Sequence, residues 1–256
     1  MQEISVLSYK ITENTENPLE WQMQAQIMAE TVLDTLPDCV GIQQAGEGLA
    51  VFAQAHLGEL YSYVEGNVHN PIFYNHFELT LLESGSFWYS DTPNTLSKFE
   101  SATFYTSCSW AAFERKECGT RFMMLNTTFD KNPLVKAQSI PMLMNVASKY
   151  YVPVVCTGEF NMIKGAVNYR TLTAGVLRDV SVVAEKTQPT PPASFGKIIP
   201  EAVYNYIPDF PKFNMCGNIL SNYLVEPLEY SYCFQGMLYG EQQPNGVVAK
   251  LNLLRR

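Results

Sequence analysis

The 256-residue sequence has no basic run: 17 Lys and Arg are scattered among 25 Asp and Glu, for a formal net charge of −8. Phosphate backbones are gripped by clustered cations, so tight nonspecific binding of nucleic acid is disfavoured. Histidine is equally sparse. All three, His56, His69 and His76, lie in the first third, which excludes an imidazole base supplied by any later strand. The six cysteines (Cys39, Cys108, Cys118, Cys156, Cys216, Cys233) form no C-x-x-C pair, so neither a zinc site nor a disulfide framework is indicated. Most are expected to be buried thiols. No apolar run approaches the ~20 residues of a membrane-spanning helix. Met1-Gln2-Glu3 leads straight into a strand pattern without the charged and apolar regions of a signal peptide, so the expectation is a cytoplasmic protein with no membrane association. A G-x-S-x-G elbow and a GxxxxGK[ST] loop are both missing, which removes support for serine hydrolysis and for a P-loop.

What is present is a hydrophobic content of 46%, enough to bury a full core. The only Pro-rich patch, Thr187 to Ala193, has the length of a surface loop, so residues 1–256 are read as one domain. Strands are expected at Ile4 to Ile11 and Cys39 to Gln43. Between them a helix over Glu20 to Leu36 carries apolar residues at Trp21, Ala25, Met28, Val32, Leu33 and Leu36 and is stopped by Pro37. A helix at Gly48 to Leu57 precedes short strands at Tyr61 to Glu65, Ile72 to Tyr74 and Phe77 to Leu82. Longer strands follow at Ala102 to Phe113 and Arg121 to Thr128, joined by a hairpin turn ending at Gly119. Asn132 to Tyr150 reads as a helix that Pro141 should kink or break. Helical pieces near Tyr169 to Thr173 and Leu177 to Ala184, and strands near Asn218 to Val225 and Val247 to Leu254, complete the pattern. Asn126-Thr127-Thr128 matches a glycosylation acceptor but lies in a strand and is read as a chance match.

The most informative stretch is Pro153 to Met162, PVVCTGEFNM. A Val-rich apolar run is the pattern of a strand buried on both faces, and side chains just past its end emerge at the rim of a sheet. Glu159 and Asn161 occupy that position. Here TGEFN resembles the TGDFN segment of the endonuclease/exonuclease/phosphatase family, metal-dependent phosphoesterases similar to DNase I. Further segments agree in order along nearly the whole chain: SVLSYKI from Ser5, PDCVGIQQA from Pro37, NPIFYN from Asn70 and SGSFWYSDTP from Ser84. CSWAAFE from Cys108, FMMLNTTFD from Phe122 and YRTLTAGVLRD from Tyr169 continue the series. The resemblance implies a four-layer α/β sandwich, two packed mixed sheets flanked by helices.

It also implies where chemistry belongs. Cleaving a phosphodiester needs a cation at the phosphoryl oxygens, an activated water and donors for the transition state. At the family's site positions this chain departs repeatedly. SYN reads Ser8-Tyr9-Lys10, placing an ammonium where an amide belongs. QE reads Gln43-Gln44, a carboxamide in place of the main magnesium carboxylate. NTH ends in Thr128, which cannot act as an imidazole does. The Asp of the central motif is Glu159, and a displacement on the order of 1 Å costs ~100-fold in rate; Asn161 is retained. Near the C-terminus Pro211 falls where an Asp belongs, and Gln242 or Gln243, depending on a one-residue register, replaces another.

The reading is therefore a family scaffold with its catalytic set removed, catalytically impaired or inactive, with no cofactor expected and a small phosphorylated ligand as possible partner. An alternative is an active phosphoesterase using Mg²⁺ or Mn²⁺ held at Glu159 and Gln44, with Asn161 positioning water and help from Asp130 or Asp179. A third is a structural or interaction protein. Lys10 either occupies the metal's space beside Glu159 or extends into solvent. Asp179 is assigned to an ion pair or a helix end. Phe87-Trp88-Tyr89 is read as strand core, with stacking on a base or sugar as its alternative. His69 and His76 are read as surface or turn residues, with lining of a cleft as theirs. Substrate and oligomeric state are not fixed by these residues.

Overall fold

In the computed structural model, residues 2–11, 18–46, 48–64, 68–187, 218–233 and 246–254 are described. The elements run β1 (Glu3–Lys10), α1 (Pro18–Thr35), β2 (Cys39–Gln43), α2 (Gly48–Leu57), β3 (Tyr61–Tyr63), β4 (Ile72–Asn75), β5 (Leu79–Trp88), β6 (Ser107–Arg115) and β7 (Arg121–Thr128). Then come α3 (Pro133–Ala147), β8 (Val154–Glu159), α4 (Val167–Thr173), β9 (Arg178–Asp179), α5 (Val180–Val183), β10 (Lys186–Thr187), β11 (Ile219–Ser221), β12 (Val225–Cys233) and β13 (Gly246–Leu253).

The strands form two mixed sheets. One has the order β10-β12-β13-β1-β2-β4-β3 and the other β5-β6-β7-β8-β11-β9. Each contains a single parallel pair among its central strands, β1 with β2 and β7 with β8. Three apolar clusters fill the gaps between layers. Leu7, Tyr9, Val40 and Ile42 face Ala25, Met28, Val32 and Leu49 of the first helix pair. Val6, Cys39 and Ala249 meet Phe113, Met124 and Val155 between the sheets. Met123, Leu125, Val154 and Cys156 pack on Val135, Ile140 and Leu143 of α3 and on Leu172 of α4. The result is the expected four-layer α/β sandwich. No described helix is long and apolar enough to cross a membrane.

Several local expectations need correction. The buried stripe of α1 is Ala25, Met28, Ala29 and Val32, while Leu33 and Leu36 are exposed. Leu36 adopts a positive φ of 42° at the helix end before Pro37, which turns it away from the core. The strand expected from Ala102 begins only at Ser107. Thr103 and Phe104 instead donate their backbone N–H groups to the buried Asp130 carboxylate at 2.7 and 3.3 Å, so they are unavailable for a ladder. The strand expected over Phe77 to Leu82 starts at Leu79 and runs to Trp88. Helix α3 continues through Pro141 rather than breaking there. Pro141 lacks the N–H that the Ala137 carbonyl would accept, and both residues are at exposed positions, within reach of solvent. The helical piece expected from Leu177 starts at Val180, and the expected strand Asn218 to Val225 divides into β11 and the start of β12. Gly119 closes the β6–β7 hairpin with φ 68°, as the turn requires.

Candidate functional site

The two central parallel pairs end at the same rim. Lys10 and Gln43 are opposite one another at the ends of β1 and β2, and Thr128 and Glu159 at the ends of β7 and β8. Crevices at the carboxyl ends of parallel strands are where open α/β sheets place ligands. Just below this rim the sheets approach so closely that a Cβ on Gly41 would lie 2.0 Å from Thr157 Oγ1 and 2.8 Å from Asn126 Oδ1. Glycine is required there by space alone.

A buried amide network fastens the seam. Gln43 Nε2 donates to Asn126 Oδ1 at 2.7 Å, and Thr157 Oγ1 donates to the same oxygen at 3.0 Å. Asn126 Nδ2 donates to the carbonyls of Ile42 and Pro71, each at 2.8 Å. Ser8 Oγ joins through Gln43 at 3.2 Å. Every buried polar atom named here has a partner, so the network fixes the relative placement of the two sheets rather than weakening them. Asn126, at zero exposure, is no glycosylation acceptor in this fold.

Above the network sits Glu159. Its Oε1 receives Lys10 Nζ at 2.6 Å, and its Oε2 receives the Gln44 side-chain amide. Lys10 thus bridges the sheets instead of extending into solvent, although its side chain remains 43% exposed. Gln44 reaches the carboxylate from a left-handed backbone, φ 59°, a rare conformation for a side chain of this kind. Asn161 is the other left-handed residue at the rim, φ 51°, which asparagine tolerates better than most. Its Nδ2 donates to the Phe129 carbonyl at 2.8 Å, and its own carbonyl accepts from Lys136 Nζ at 2.6 Å. Asn161 therefore holds the turn after β8. Burial pushes the Lys136 ammonium below the usual lysine range, against the opposing pull of Asp130.

Thr128 points across the seam and donates to Asn70 Oδ1 at 2.7 Å. Asn70 Nδ2 in turn donates to the carbonyl and hydroxyl of Ser107, at 3.0 and 2.8 Å. Asn70, Asn126 and Gln43 had no assigned role in the sequence, although the segments NPIFYN, FMMLNTTFD and PDCVGIQQA contain them. The signal of Gln43 and Asn126 was polarity inside otherwise apolar strand runs, and that of Asn70 its place just ahead of one. Pro211, Gln242 and Gln243 lie outside the described residues.

Asp130 and Asp179 are committed elsewhere. Asp130 accepts four bonds, from Thr103 N and Oγ1, Phe104 N and Asn132 N. Asp179 caps α5 through Ser181 N at 3.0 Å and pairs with Lys164 at 3.8 Å, so both of its expected roles are realised. Phe87 and Tyr89 are core, while Trp88 on the opposite face is only partly covered. His76 Nδ1 meets Ser62 Oγ at 3.1 Å, and His69 packs edge-on against Trp88.

A divalent ion of the magnesium type takes oxygen ligands in octahedral array, usually one or two free carboxylates completed by waters and substrate phosphates. Here the rim carboxylate of the described residues, Glu159, has both oxygens engaged, by the Lys10 ammonium and the Gln44 amide. No group of three or more His, Cys, Asp or Glu fit to hold a metal occurs among the described residues. Among the described residues this donor set does not fit the ion.

No family profile and no curated protein sequence matches the chain. Solved structures do. An endonuclease/exonuclease/phosphatase from Bacteroides vulgatus superposes with a TM-score of 0.82 at 20% identity, covering 99% of this chain and 100% of that one. A mannosyl-6-phosphatase from Bacteroides thetaiotaomicron gives 0.78 at 20% identity, with 98% and 100% covered. D. rerio TDP2 complexed with a single-strand DNA product gives 0.69 at 14% identity, with 98% and 100% covered. The fold is thus that of the endonuclease/exonuclease/phosphatase, or DNase I-like, proteins.

Proposed function

We propose that this protein is a non-hydrolytic member of the phosphoesterase fold, acting through a cleft that binds a small phosphorylated ligand without a divalent metal. The observation that carries the reading is the Lys10–Glu159 ion pair at 2.6 Å, with Gln44 on the second carboxylate oxygen. An ammonium sits against Glu159, the rim carboxylate of the described residues, where a metal would otherwise be recruited. Lys10 Nζ has two further N–H donors, and its partial exposure leaves them open to a phosphate oxygen. Thr128 offers a hydroxyl, already donated to Asn70, where proton transfer would need an imidazole. The mannosyl-6-phosphatase among the structural neighbours supports a small phosphoester rather than a polymer, as does the net charge of −8. The five free cysteines of the described residues support a cytoplasmic setting.

The test is isothermal titration with Mg²⁺ and Mn²⁺, beside turnover of an aryl phosphodiester and an aryl phosphomonoester. The native protein is expected to bind neither ion at millimolar concentration and to turn over neither ester. The combined variant Lys10→Asn, Gln44→Glu, Thr128→His, Glu159→Asp is expected to gain metal affinity. Metal-dependent turnover by the native protein, abolished in Glu159→Ala, overturns the reading.

A further inference from the structure

We infer that Trp88, flanked by His69 and Tyr105, is the ring-recognition end of the same cleft, and that the ligand is a phosphate ester carrying a flat aromatic ring. The inference rests on the reading above for the phosphate end and on independent geometry for the ring end.

The geometry is one rung of the six-stranded sheet. Trp88 lies opposite Ser107 on β6. Cys108 is opposite Thr127, and one antiparallel step places Ser107 opposite Thr128. Thr128 is opposite Glu159. Residues facing one another across a sheet project to the same side. Thr128 reaches Asn70 across the seam, so this side is the one turned to the other sheet. Trp88, Ser107, Thr128 and Glu159 therefore line one row, and three strand spacings separate its ends by about 14 Å.

The opposite wall is continuous too. Ala45, next to Gln44, donates its N–H to the His69 carbonyl at 3.1 Å, and Asn70 follows at once. The His69 ring meets Trp88 at 5.6 Å and 70°, and Tyr105 meets the same indole at 6.1 Å and 83°. Both contacts are T-shaped, so Trp88 stands in an aromatic corner. Tyr105 is 50% exposed and Trp88 is partly covered, in contrast to the buried Phe87 and Tyr89 on either side of it. Lys98 Nζ, held to the Ala102 carbonyl at 2.8 Å, lies 5.7 Å from the Tyr105 centroid.

An aromatic corner favours a planar π ring over a sugar. A hexose needs polar partners for its hydroxyls, and two of the polar side chains beside this corner, Asn70 and Ser107, are buried and already bonded to each other. A base needs only a face on which to stack, and stacking tolerates any base.

The test is calorimetric titration of the native protein with adenosine 5′-monophosphate, adenosine and a hexose 6-phosphate, repeated on Trp88→Ala, Trp88→Phe and Tyr105→Ala, each verified as folded by thermal denaturation. The monophosphate is expected to bind, about tenfold more weakly to Trp88→Ala and less weakened in Trp88→Phe. Adenosine is expected to bind more weakly than its phosphate and to show the same loss in Trp88→Ala. Equal monophosphate affinity in native and Trp88→Ala protein, tighter binding of the hexose phosphate, or no binding of the monophosphate at millimolar concentration overturns the inference. Metal-dependent turnover would overturn only the non-hydrolytic reading, because the Trp88 comparison would then be read in KM for an aryl against a hexose phosphate.

Discussion

Thr128 on β7 donates to Asn70 just ahead of β4, 2.7 Å across the seam between the sheets, and both residues are buried. The bond stands at a position where the family resemblance calls for histidine. Replacing Thr128 by the isosteric valine leaves Asn70 Oδ1 without that donor. The expected cost is about 1–3 kcal/mol, read as a lower denaturation midpoint at unchanged slope. An unchanged midpoint would mean the hydroxyl is dispensable.

Gly41→Ala is expected to be severe. The added methyl would meet Thr157 and Asn126 well inside van der Waals distance, and both neighbours belong to a satisfied network that cannot shift without breaking bonds. Overpacking of this kind costs on the order of 1–3 kcal/mol or more. Thermal denaturation of the variant checks it; a shift of less than a degree would show that the sheets can separate freely.

Lys10→Asn by itself is expected to change stability by less than about 1 kcal/mol. The ammonium is nearly half exposed, and pairs of that kind are screened by solvent. Denaturant titration measures it. A loss of several kcal/mol would show the pair to be a structural clasp between the sheets.

Asp130 gives the protein an acid-sensitive anchor. Burial opposes its charge, but the backbone N–H groups of Asn132, Phe104 and Thr103 prevail and hold its carboxyl below the usual aspartate range. A folded-state value below the unfolded one stabilises above the unfolded pKa of about 3.9 and is lost as pH falls through the folded value. The stability gap between native protein and Asp130→Asn should therefore be full at pH 6 and shrink below about pH 4. A gap independent of pH would refute this.

The thiols divide by environment. Burial pushes Cys108 up to about 12 and Cys233 up to about 11, and raises Cys39 as well. Alkylation at pH 8, followed by peptide mapping, should label the partly exposed Cys118 first among these and the others only on unfolding. Early labelling of Cys108 would contradict the packing around it.

Much of this fold was legible in the sequence because its strands are buried on both faces and announce themselves as apolar runs. Cys39–Gln43, Gly48–Leu57 and Arg121–Thr128 were delimited to the residue. Misreadings arose where tertiary contacts override local pattern. Thr103 and Phe104 have the composition of a strand but serve Asp130, and Pro141 sits at an exposed position of a helix that continues through it. At the site, the residue types at 10, 44, 128 and 159 were legible, whereas their mutual engagement was not. Lys10 and Glu159 are far apart in the chain and meet only because two sheets end at a common rim. Asn70 was harder still, since its role exists only in contact with Ser107 and Thr128.

The pairing of β1 with β13 has a consequence for biosynthesis. The first described strand is an interior one, apolar on both faces, with Ile4 and Val6 on one side and Leu7 and Tyr9 on the other. Until the last strand has left the ribosome, β1 carries an open, sticky flank. Any product of premature termination would keep that flank permanently, and such fragments are expected to clump rather than persist as partly built molecules.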